Sequence, residues 1–407
     1  MKNYYLTLSD DFNEILKNNT PTKTLKLSCN QSKNNENMYK IINYEKSQIS
    51  YDNISTTGIF RSVILNKNGN LVCFSPPKSI QSDTFIKSYP EIDSNIIARE
   101  FIEGTMINVF WDPSVGLTGG WEIATRNTIG ATSKFFKSAN SKTFRDMFLE
   151  AAQKNNLILD CLNRNYCYSF VLQHPENRIV VPFLEPQLYL VAMYFMYREN
   201  FQVAVQPLED IAPFFTNTTI KFPLVYEEKT YSELINKYAS MNTDYNILGL
   251  VLINKVTDER AKIRNPVYEQ VRQLRGNQPK LQFQYLSLRK EGKVKDFLKF
   301  YPENKTDFSN FRDQVHLFTD TLLTNYISCY IKKEKPLKEF PEQFRTHMFK
   351  IHKIYMEDLK EKKLYVNNTV VINYVNDIAP AKLMYSLNFH MRKRNVDFIK
   401  GDQNDLK

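Results

Sequence analysis

The stretch that decides the fold reads E-F-I-E-G-T-M-I-N-V-F and spans residues 100–110. Its second part, Thr105 to Trp111, is rich in β-branched and aromatic residues and predicts a strand. Glu103 and Gly104 directly precede this strand. The simplest interpretation of the two residues is structural: they form the turn that leads into the strand. Before the turn lies Phe101. Its ring has no lone pair, so the side chain at this position cannot act as a nucleophile in catalysis.

Strand signals continue on both sides of this stretch. The β-rich runs I-F-R-S-V-I-L (59–65) and L-V-C-F-S (71–75) flank an Asn-Gly turn, which predicts a β-hairpin. Further strands are predicted at Trp121–Thr125, Tyr168–Gln173, Arg178–Pro182 and Leu248–Ile253, and the apolar run Leu188–Tyr197 fits a helix or a strand. Helical spacing appears near Asp10–Leu16 and over Ser141–Leu159. The pattern predicts an α+β domain with a mostly antiparallel sheet.

The last third of the chain differs in periodicity and in charge. After Pro266 apolar residues recur at three-to-four spacing, which predicts helices over Phe283–Lys295, Asp307–Ile331, Phe340–Lys360 and Val366–Ile378. The net charge is +10, and residues 267–407 hold 26 Lys and Arg against 17 Asp and Glu. Such a basic module favours a polyanion partner, most simply nucleic acid. The alternative is a helical domain whose lysines merely face water.

These changes predict three segments. Residues 1–57 form a polar N-terminal extension packed on the core, 58–266 an α+β domain, and 267–407 a basic helical C-terminal domain. Five Cys without metal-ligand spacing indicate a reducing compartment. The start of the chain has no apolar run of signal-peptide length, and the longest apolar stretch, at ten residues, is too short to cross a membrane. We therefore expect a cytoplasmic protein without membrane contact.

Six segments, in order, resemble the motifs of the phage-type RNA ligase family of covalent nucleotidyltransferases. They read F-R-S-V-I-L-N-K-N-G-N-L-V-C-F-S-P-P-K (60–78), E-F-I-E-G-T-M-I-N-V-F (100–110), W-E-I-A-T-R-N-T-I-G (121–130), S-F-V-L-Q-H-P-E-N-R-I-V (169–180), L-G-L-V-L (248–252) and A-K-I-R-N (261–265). The resemblance implies a nucleotidyltransferase-like antiparallel sheet domain followed by an all-helical C-terminal domain. It also implies ATP-dependent ligation of RNA, with a lysine that attacks the α-phosphate and carboxylates that hold a divalent metal.

The sequence departs from the family's pattern where that chemistry is performed. Phe101 stands at the position of the nucleophilic lysine, and Val171 and Leu248 stand where the family carries glutamates. Lys78 and Lys134 are the nearest candidates for a displaced nucleophile. We therefore expect no catalytic residue and no metal site. The residues retained from the motifs, expected to bind a nucleotide or its phosphates, are Arg61, Lys78, Glu103, Gly104, Arg126, Arg178, Lys262 and Arg264.

The basic third supplies candidate RNA contacts. The expected residues are Arg275, Lys280, Arg392, Lys393 and Arg394, with aromatic residues interleaved among the cations. For most of those aromatic residues we prefer the plainer interpretation, that they form the core of the helical domain at three-to-four spacing. His174, His347 and His352 lack ligand spacing; we expect no metal at His174 and surface positions for the other two.

Two main hypotheses follow. The first is a catalytically degenerate RNA ligase-like protein that binds RNA or a nucleotide, or acts as an assembly subunit, and needs no cofactor. The second is an active ATP-dependent RNA ligase with a displaced lysine, which would use ATP and Mg. A structural protein that has lost every ligand is a third. The composition is also similar to ligase-like proteins of large cytoplasmic DNA viruses, which implies a viral factory or virion location and a viral protein as a further candidate partner.

Overall fold

The computed structural model describes residues 2–134, 141–278 and 280–391. The chain divides into two compact units, Met1–Arg272 and Gln273–Lys407. The strands of the first unit are β1 (Asn3–Tyr5), β2 (Leu25–Gln31), β3 (Met38–Tyr44), β4 (Val63–Leu65), β5 (Leu71–Phe74), β6 (Ile96–Glu100), β7 (Thr105–Asp112), β8 (Gly120–Ala124), β9 (Tyr166–Gln173), β10 (Gln187–Tyr197), β11 (Gln202–Gln206), β12 (Val225–Tyr226), β13 (Gly249–Asn254) and β14 (Arg260–Arg264). The helices of the chain are α1 (Asp10–Asn18), α2 (Ser82–Ser88), α3 (Phe144–Lys154), α4 (Leu208–Ile211), α5 (Tyr231–Tyr238), α6 (Pro266–Arg275), α7 (Leu281–Lys290), α8 (Val294–Phe300), α9 (Lys305–Tyr326), α10 (Glu342–Ile354), α11 (Asn368–Asp377) and α12 (Pro380–Leu387).

A six-stranded antiparallel sheet forms the centre of the first unit, in the order β1-β11-β10-β9-β7-β8. The apolar run that fitted a helix or a strand is β10, the longest strand of this sheet. Its successive residues enter two cores: Met193 joins the core that includes α3, and Tyr194 joins the core toward β2–β5. Because both faces of the strand are buried, the run shows no polar alternation. This explains why periodicity alone could not separate helix from strand.

Two four-stranded antiparallel sheets complete the first unit, in the orders β2-β3-β4-β5 and β12-β6-β13-β14. The predicted hairpin is β4–β5, where Gly69 has a φ of 81° and donates its N–H to Asn66 O at 3.0 Å. The segment predicted as an N-terminal extension supplies β1 to the six-stranded sheet and β2 and β3 to the sheet of this hairpin.

One predicted strand, Arg178–Pro182, is wrong. This segment follows a 3-10 turn at Pro175–Asn177 and has no strand partner among the described residues. Its backbone N–H groups at Val180 and Val181 donate to the Glu103 carboxylate instead, at 2.9 and 3.2 Å. A side-chain acceptor has taken the donors that a sheet neighbour would need.

The second unit is helical in its described residues and is organised around α9. Aromatic side chains fill its core: Tyr285, Phe297 and Phe308 are buried and their rings pack together, with ring centroids 4.9–5.2 Å apart for the pairs that include Phe308. The expected surface position of His347 is wrong, because its ring is partly buried. Its ring nitrogens lie 2.8 Å from Tyr374 Oη and 2.9 Å from Ser386 Oγ. Burial lowers the pKa of His347 to about 4. The fold class, antiparallel sheets followed by a helical C-terminal region, is confirmed. No helix among the described residues has the length and apolarity to cross a membrane.

Candidate phosphate-binding site

The site is built around the turn that joins β6 to β7. β6 pairs with β13, and just past its end the Phe101 N–H donates to Gly249 O at 3.2 Å. Lys262 and Arg264 lie two residues apart on β14 and so project from the same face of that strand. Lys262 Nζ lies 4.7 Å and Arg264 Cζ 5.7 Å from the centroid of the Phe101 ring. The phenylalanine at the expected nucleophile position is therefore the platform for two cations.

Three more of the expected phosphate-binding residues lie close to this pair. Arg126 Nε donates to Arg61 O at 3.3 Å, and the Arg126 guanidinium lies 4.9 Å from the centroid of Tyr44. Burial, followed by the charges of Arg61, Arg264 and Arg126, lowers the pKa of Lys78. We call Arg61, Lys78, Arg126, Lys262 and Arg264 the cation cluster.

Lys262 is the residue in which this crowding is strongest. Burial, and then the charges of Arg61, Arg260, Arg264 and Lys78, lower the pKa of Lys262 to about 7. Burial and the guanidinium groups of Arg126 and Arg260 likewise lower the pKa of Arg61, against an opposing influence of Tyr44. Buried cations that repel one another are stabilised by a bound anion. A multiply charged anion, such as a phosphate chain, would relieve this repulsion.

The nearby carboxylates are largely engaged elsewhere. Asp258 forms an ion pair with Arg260 at 2.7 Å and accepts the Tyr4 hydroxyl at 2.7 Å. Glu209 pairs with Arg99, outside the cluster. Glu269 lies 3.2 Å from Arg264, but the Arg264 side chain is half exposed. Among the described ion pairs, the pair of Glu269 with Arg264 is the one that neutralises a charge of the cluster. Ion pairs exposed to solvent in this way are weak.

A divalent metal does not fit this donor set. Val171 and Leu248, at the positions of the family's glutamates, are buried apolar residues with 7% and 9% exposure. Among the described residues that line the cavity under Phe101, Glu100 is the one carboxylate, and burial raises its pKa. A metal needs several oxygen ligands, whereas this cavity is lined by the cations Arg61, Arg99, Arg260 and Lys262. No group of three or more metal-binding side chains occurs in the described residues.

The cavity itself encloses about 80 Å³. Known pockets for small ligands are several times larger, about 300–1,000 Å³. A whole nucleotide therefore does not fit under Phe101. Phosphates would meet the cluster from its open side, where Lys78 and Arg264 are exposed.

Glu103 and Gly104 have a structural role. The Glu103 carboxylate is buried and accepts N–H bonds from Val180 and Val181 and a hydrogen bond from the Tyr268 hydroxyl. Gly104 has a φ of 148°, and a Cβ at that position would lie 2.4 Å from Leu172 O. The plainer interpretation, a turn that leads into β7, therefore accounts for both residues: the carboxylate fastens the 175–181 loop, and the glycine lets β9 approach.

The remaining expected residues are not members of the cation cluster. Arg178 belongs to the loop fastened by Glu103, and its Nε donates to Val180 O at 3.0 Å. Lys134 acts on Asp146 of α3, where its charge contributes to lowering the pKa of that carboxyl after the Thr143 hydrogen bonds. Arg275 is the last residue of α6 and Lys280 directly precedes α7, and both belong to the second unit. The predicted RNA contacts at Arg392, Lys393 and Arg394 lie outside the described residues.

Two participants were missed by sequence reasoning. Arg260 supplies charge to the cluster, and Tyr44 supplies the ring beneath Arg126. A signal for Arg260 was present, because Arg260, Lys262 and Arg264 alternate and so share one face of a strand. Tyr44 gave no such signal, since it lies 82 positions away from Arg126 and only the folded chain brings the two together.

Comparison with known proteins supports the resemblance. The chain is 25% identical over 288 residues to an RNA ligase of Rhodothermus phage RM378, covering 62% of this chain and 64% of that protein. It thus spans a little under two thirds of the length of this relative. No family model matches the chain. The resemblance to RNA ligases of the phage type is confirmed by the phage protein.

Solved structures with some likeness are also ligases. One is a Naegleria gruberi RNA ligase mutant with ATP and Mn, at 16% identity and a TM-score of 0.36, covering 48% of this chain and 57% of that chain. Another is a putative ATP-dependent DNA ligase from Aquifex aeolicus, at 10% identity and a TM-score of 0.40, covering 96% and 79%.

Proposed function

We propose that this chain, similar in sequence to RNA ligases, is a degenerate member of that group that binds the phosphates of a nucleotide or of RNA without joining them. The observation that carries the proposal is the cation cluster assembled on the ring of Phe101. Lys262 lies 4.7 Å from the ring centroid, and the cluster receives little compensation from described carboxylates. Arginine and lysine together suit a phosphate chain. Arginine binds phosphate oxygens through paired hydrogen bonds, and lysine contributes a point charge.

Loss of ligation follows from the same residues. The ring at position 101 cannot attack phosphorus, and the apolar side chains at positions 171 and 248 give no oxygen ligand to a metal. What remains is recognition. An RNA end or a nucleoside triphosphate held in the cluster, with the basic second unit as a further RNA-binding surface, is the state that we propose.

The test is a pair of measurements on the full chain. Calorimetric titration with ATP, GTP and inorganic tripolyphosphate measures binding, and incubation with α-labelled ATP or GTP and Mg²⁺ measures a covalent adduct. We expect saturable binding that falls about tenfold or more in Lys262→Met, since a buried charged contact is lost, and no label on the protein. The matched control is Lys134→Met, which removes an exposed lysine that acts on α3. Equal affinity in wild type and Lys262→Met would refute the proposed site.

A second candidate function is favoured by one specific observation. Lys262 has a pKa of about 7 and lies over the ring that occupies the nucleophile position. A neutral amine there can attack the α-phosphorus of ATP: the N–P bond forms, the bond to pyrophosphate breaks, and the nitrogen loses a proton to solvent. Desolvation and neighbouring cations are a known way to activate a lysine.

The label assay separates the two candidates. An acid-labile, alkali-stable adduct in the wild type that disappears in Lys262→Arg would establish Lys262 as a displaced nucleophile, in place of the expected Lys78 or Lys134. Binding without label supports the degenerate binder. Adduct formation that survives Lys262→Arg would contradict Lys262 as the nucleophile, and it would also contradict the degenerate binder, which forms no adduct.

A further inference from the structure

A second concave surface lies beside the cation cluster. It is a groove of about 550 Å³ formed by the segment after β3 and the segment that leads to α2, and its lining includes Tyr44, Lys46, Tyr51, Lys78 and Ser79. We call it the Tyr51 groove. Among the described residues that line it none is acidic, and the adjacent carboxylate Glu45 is paired with Lys26 at 2.7 Å.

The Tyr51 groove presents groups without partners. The Tyr51 side chain is 64% exposed. Lys46 is exposed and takes part in no ion pair among the described residues. A free ammonium beside an exposed ring indicates a ligand with both negatively charged and flat apolar groups.

The groove continues into the cluster. Lys78 belongs to both, and Tyr44, in the groove wall, lies beneath the guanidinium of Arg126. The segment between them runs along β14, since Ile80 pairs with Ala261 and its N–H donates to Arg260 O at 2.9 Å. A chain that lies in the groove would therefore meet the cluster at Lys78, whose charge acts on Lys262.

We propose that the Tyr51 groove binds single-stranded RNA, with a base stacked on Tyr51 and backbone phosphates held by Lys46 and Lys78. Stacking aromatics beside a row of cations are the usual means of holding a single strand. The volume suits about one or two nucleotides, on the scale of known ligand pockets. The choice of RNA rests on the proposed function, whereas the groove itself rests on its own residues.

The experiment measures the affinity of the full chain for a fluorescent single-stranded RNA oligonucleotide by anisotropy at several salt concentrations. Tyr51→Ala is expected to weaken binding by roughly tenfold, as for loss of one stacked base. Lys46→Glu is expected to weaken it and to reduce the slope of log affinity against log salt by about 0.7 for the lost phosphate contact. The matched controls are Tyr197→Ala, another exposed tyrosine, and Lys17→Glu, with the same change of net charge.

Titration with tripolyphosphate separates this proposal from the proposed function. The variants Tyr51→Ala and Lys46→Glu should bind tripolyphosphate with the affinity of the wild type. Lys262→Met should bind it more weakly. If tripolyphosphate fails to bind but RNA affinity depends on Tyr51 and Lys46, the phosphate site fails and the groove stands.

Three outcomes would overturn the groove. The first is RNA affinity unchanged in both groove variants, or absent at low salt in the wild type. The second is a DNA strand of the same sequence that binds more tightly than the RNA. The third is that the chain binds poly-glutamate instead of RNA and that this binding depends on Lys46. That result would indicate an acidic protein segment as the occupant of the groove. The groove variants and their controls change exposed residues, and thermal unfolding checks that each variant is folded.

Discussion

Replacing Phe101 by lysine tests whether one substitution separates this chain from an active ligase. If the missing nucleophile were the whole defect, Phe101→Lys would restore a labelled adduct. We expect that it does not. The new ammonium would enter a site that already contains Lys262 and Arg264, and positions 171 and 248 would still lack a carboxylate.

The size of the effect follows from the distances. Two unit charges 4.7 Å apart in surroundings of effective dielectric constant about 20 repel by about 3.5 kcal/mol. The interactions of the ring with its cations, worth about 0.5–2 kcal/mol each, are lost as well. Since the new side chain can swing outward, we expect Phe101→Lys to lower the free energy of unfolding by about 2–3 kcal/mol more than Phe101→Met, the uncharged control of similar length.

Urea denaturation of both variants, with and without tripolyphosphate, measures this difference. Tripolyphosphate should reduce it, because the anion compensates the added charge. Equal unfolding free energies for the two variants would refute the electrostatic reasoning. A labelled adduct in Phe101→Lys would refute the inference that loss of the carboxylates prevents ligase chemistry.

Three further predictions concern the same region. First, Lys262→Met should raise the free energy of unfolding at pH 6 by about 1–3 kcal/mol and have less effect at pH 10. The pKa of Lys262 in the folded chain is about 7, below the value of about 10.4 in the unfolded chain. Between pH 7 and 10 the unfolded chain therefore binds more protons, and the stability of the wild type rises with pH in that window. Denaturation at the two pH values checks this, and a greater gain at pH 10 would contradict it. Second, Gly104→Ala should destabilise the first unit by about 2–4 kcal/mol, because its Cβ would meet Leu172 O at 2.4 Å; an unchanged melting temperature would count against this. Third, tripolyphosphate affinity should fall as pH rises above 7, because the anion binds the protonated form of Lys262; Lys262→Arg, which stays charged, should flatten the dependence seen by calorimetry.

Local sequence predicted the parts of the fold that local chemistry determines. The β4–β5 hairpin follows from its Asn-Gly turn, and the strand β7 from its β-branched and aromatic residues. Arg178–Pro182 was predicted wrongly because its donors bind a carboxylate 77 positions away, a partner that no local pattern reveals. The type of β10 stayed open for a related reason, since burial on both faces is decided by neighbours distant in sequence.

The candidate site divides along the same line. Motif order placed Lys262, Arg264 and Arg61 in one site, and the structure brings them together. It could not assign the role of Glu103, because the motif contains the carboxylate but not the N–H groups at 180–181 that it binds. Nor could it predict that the Phe101 ring supports cations, which depends on the pairing of β13 with both β6 and β14.

The hydrogen bond from Tyr4 to Asp258 has a consequence for synthesis on the ribosome. The two residues are 254 positions apart, and β1 pairs with β11 at residues 202–206. On the nascent chain, β1 therefore stays without this partner until β11 has been translated. Exposed strands of this kind are prone to aggregate during folding. We expect the nascent chain to be most dependent on chaperones before residue 258 emerges. The charge balance around Arg260 is complete only when Tyr4, Asp258 and Arg260 have come together.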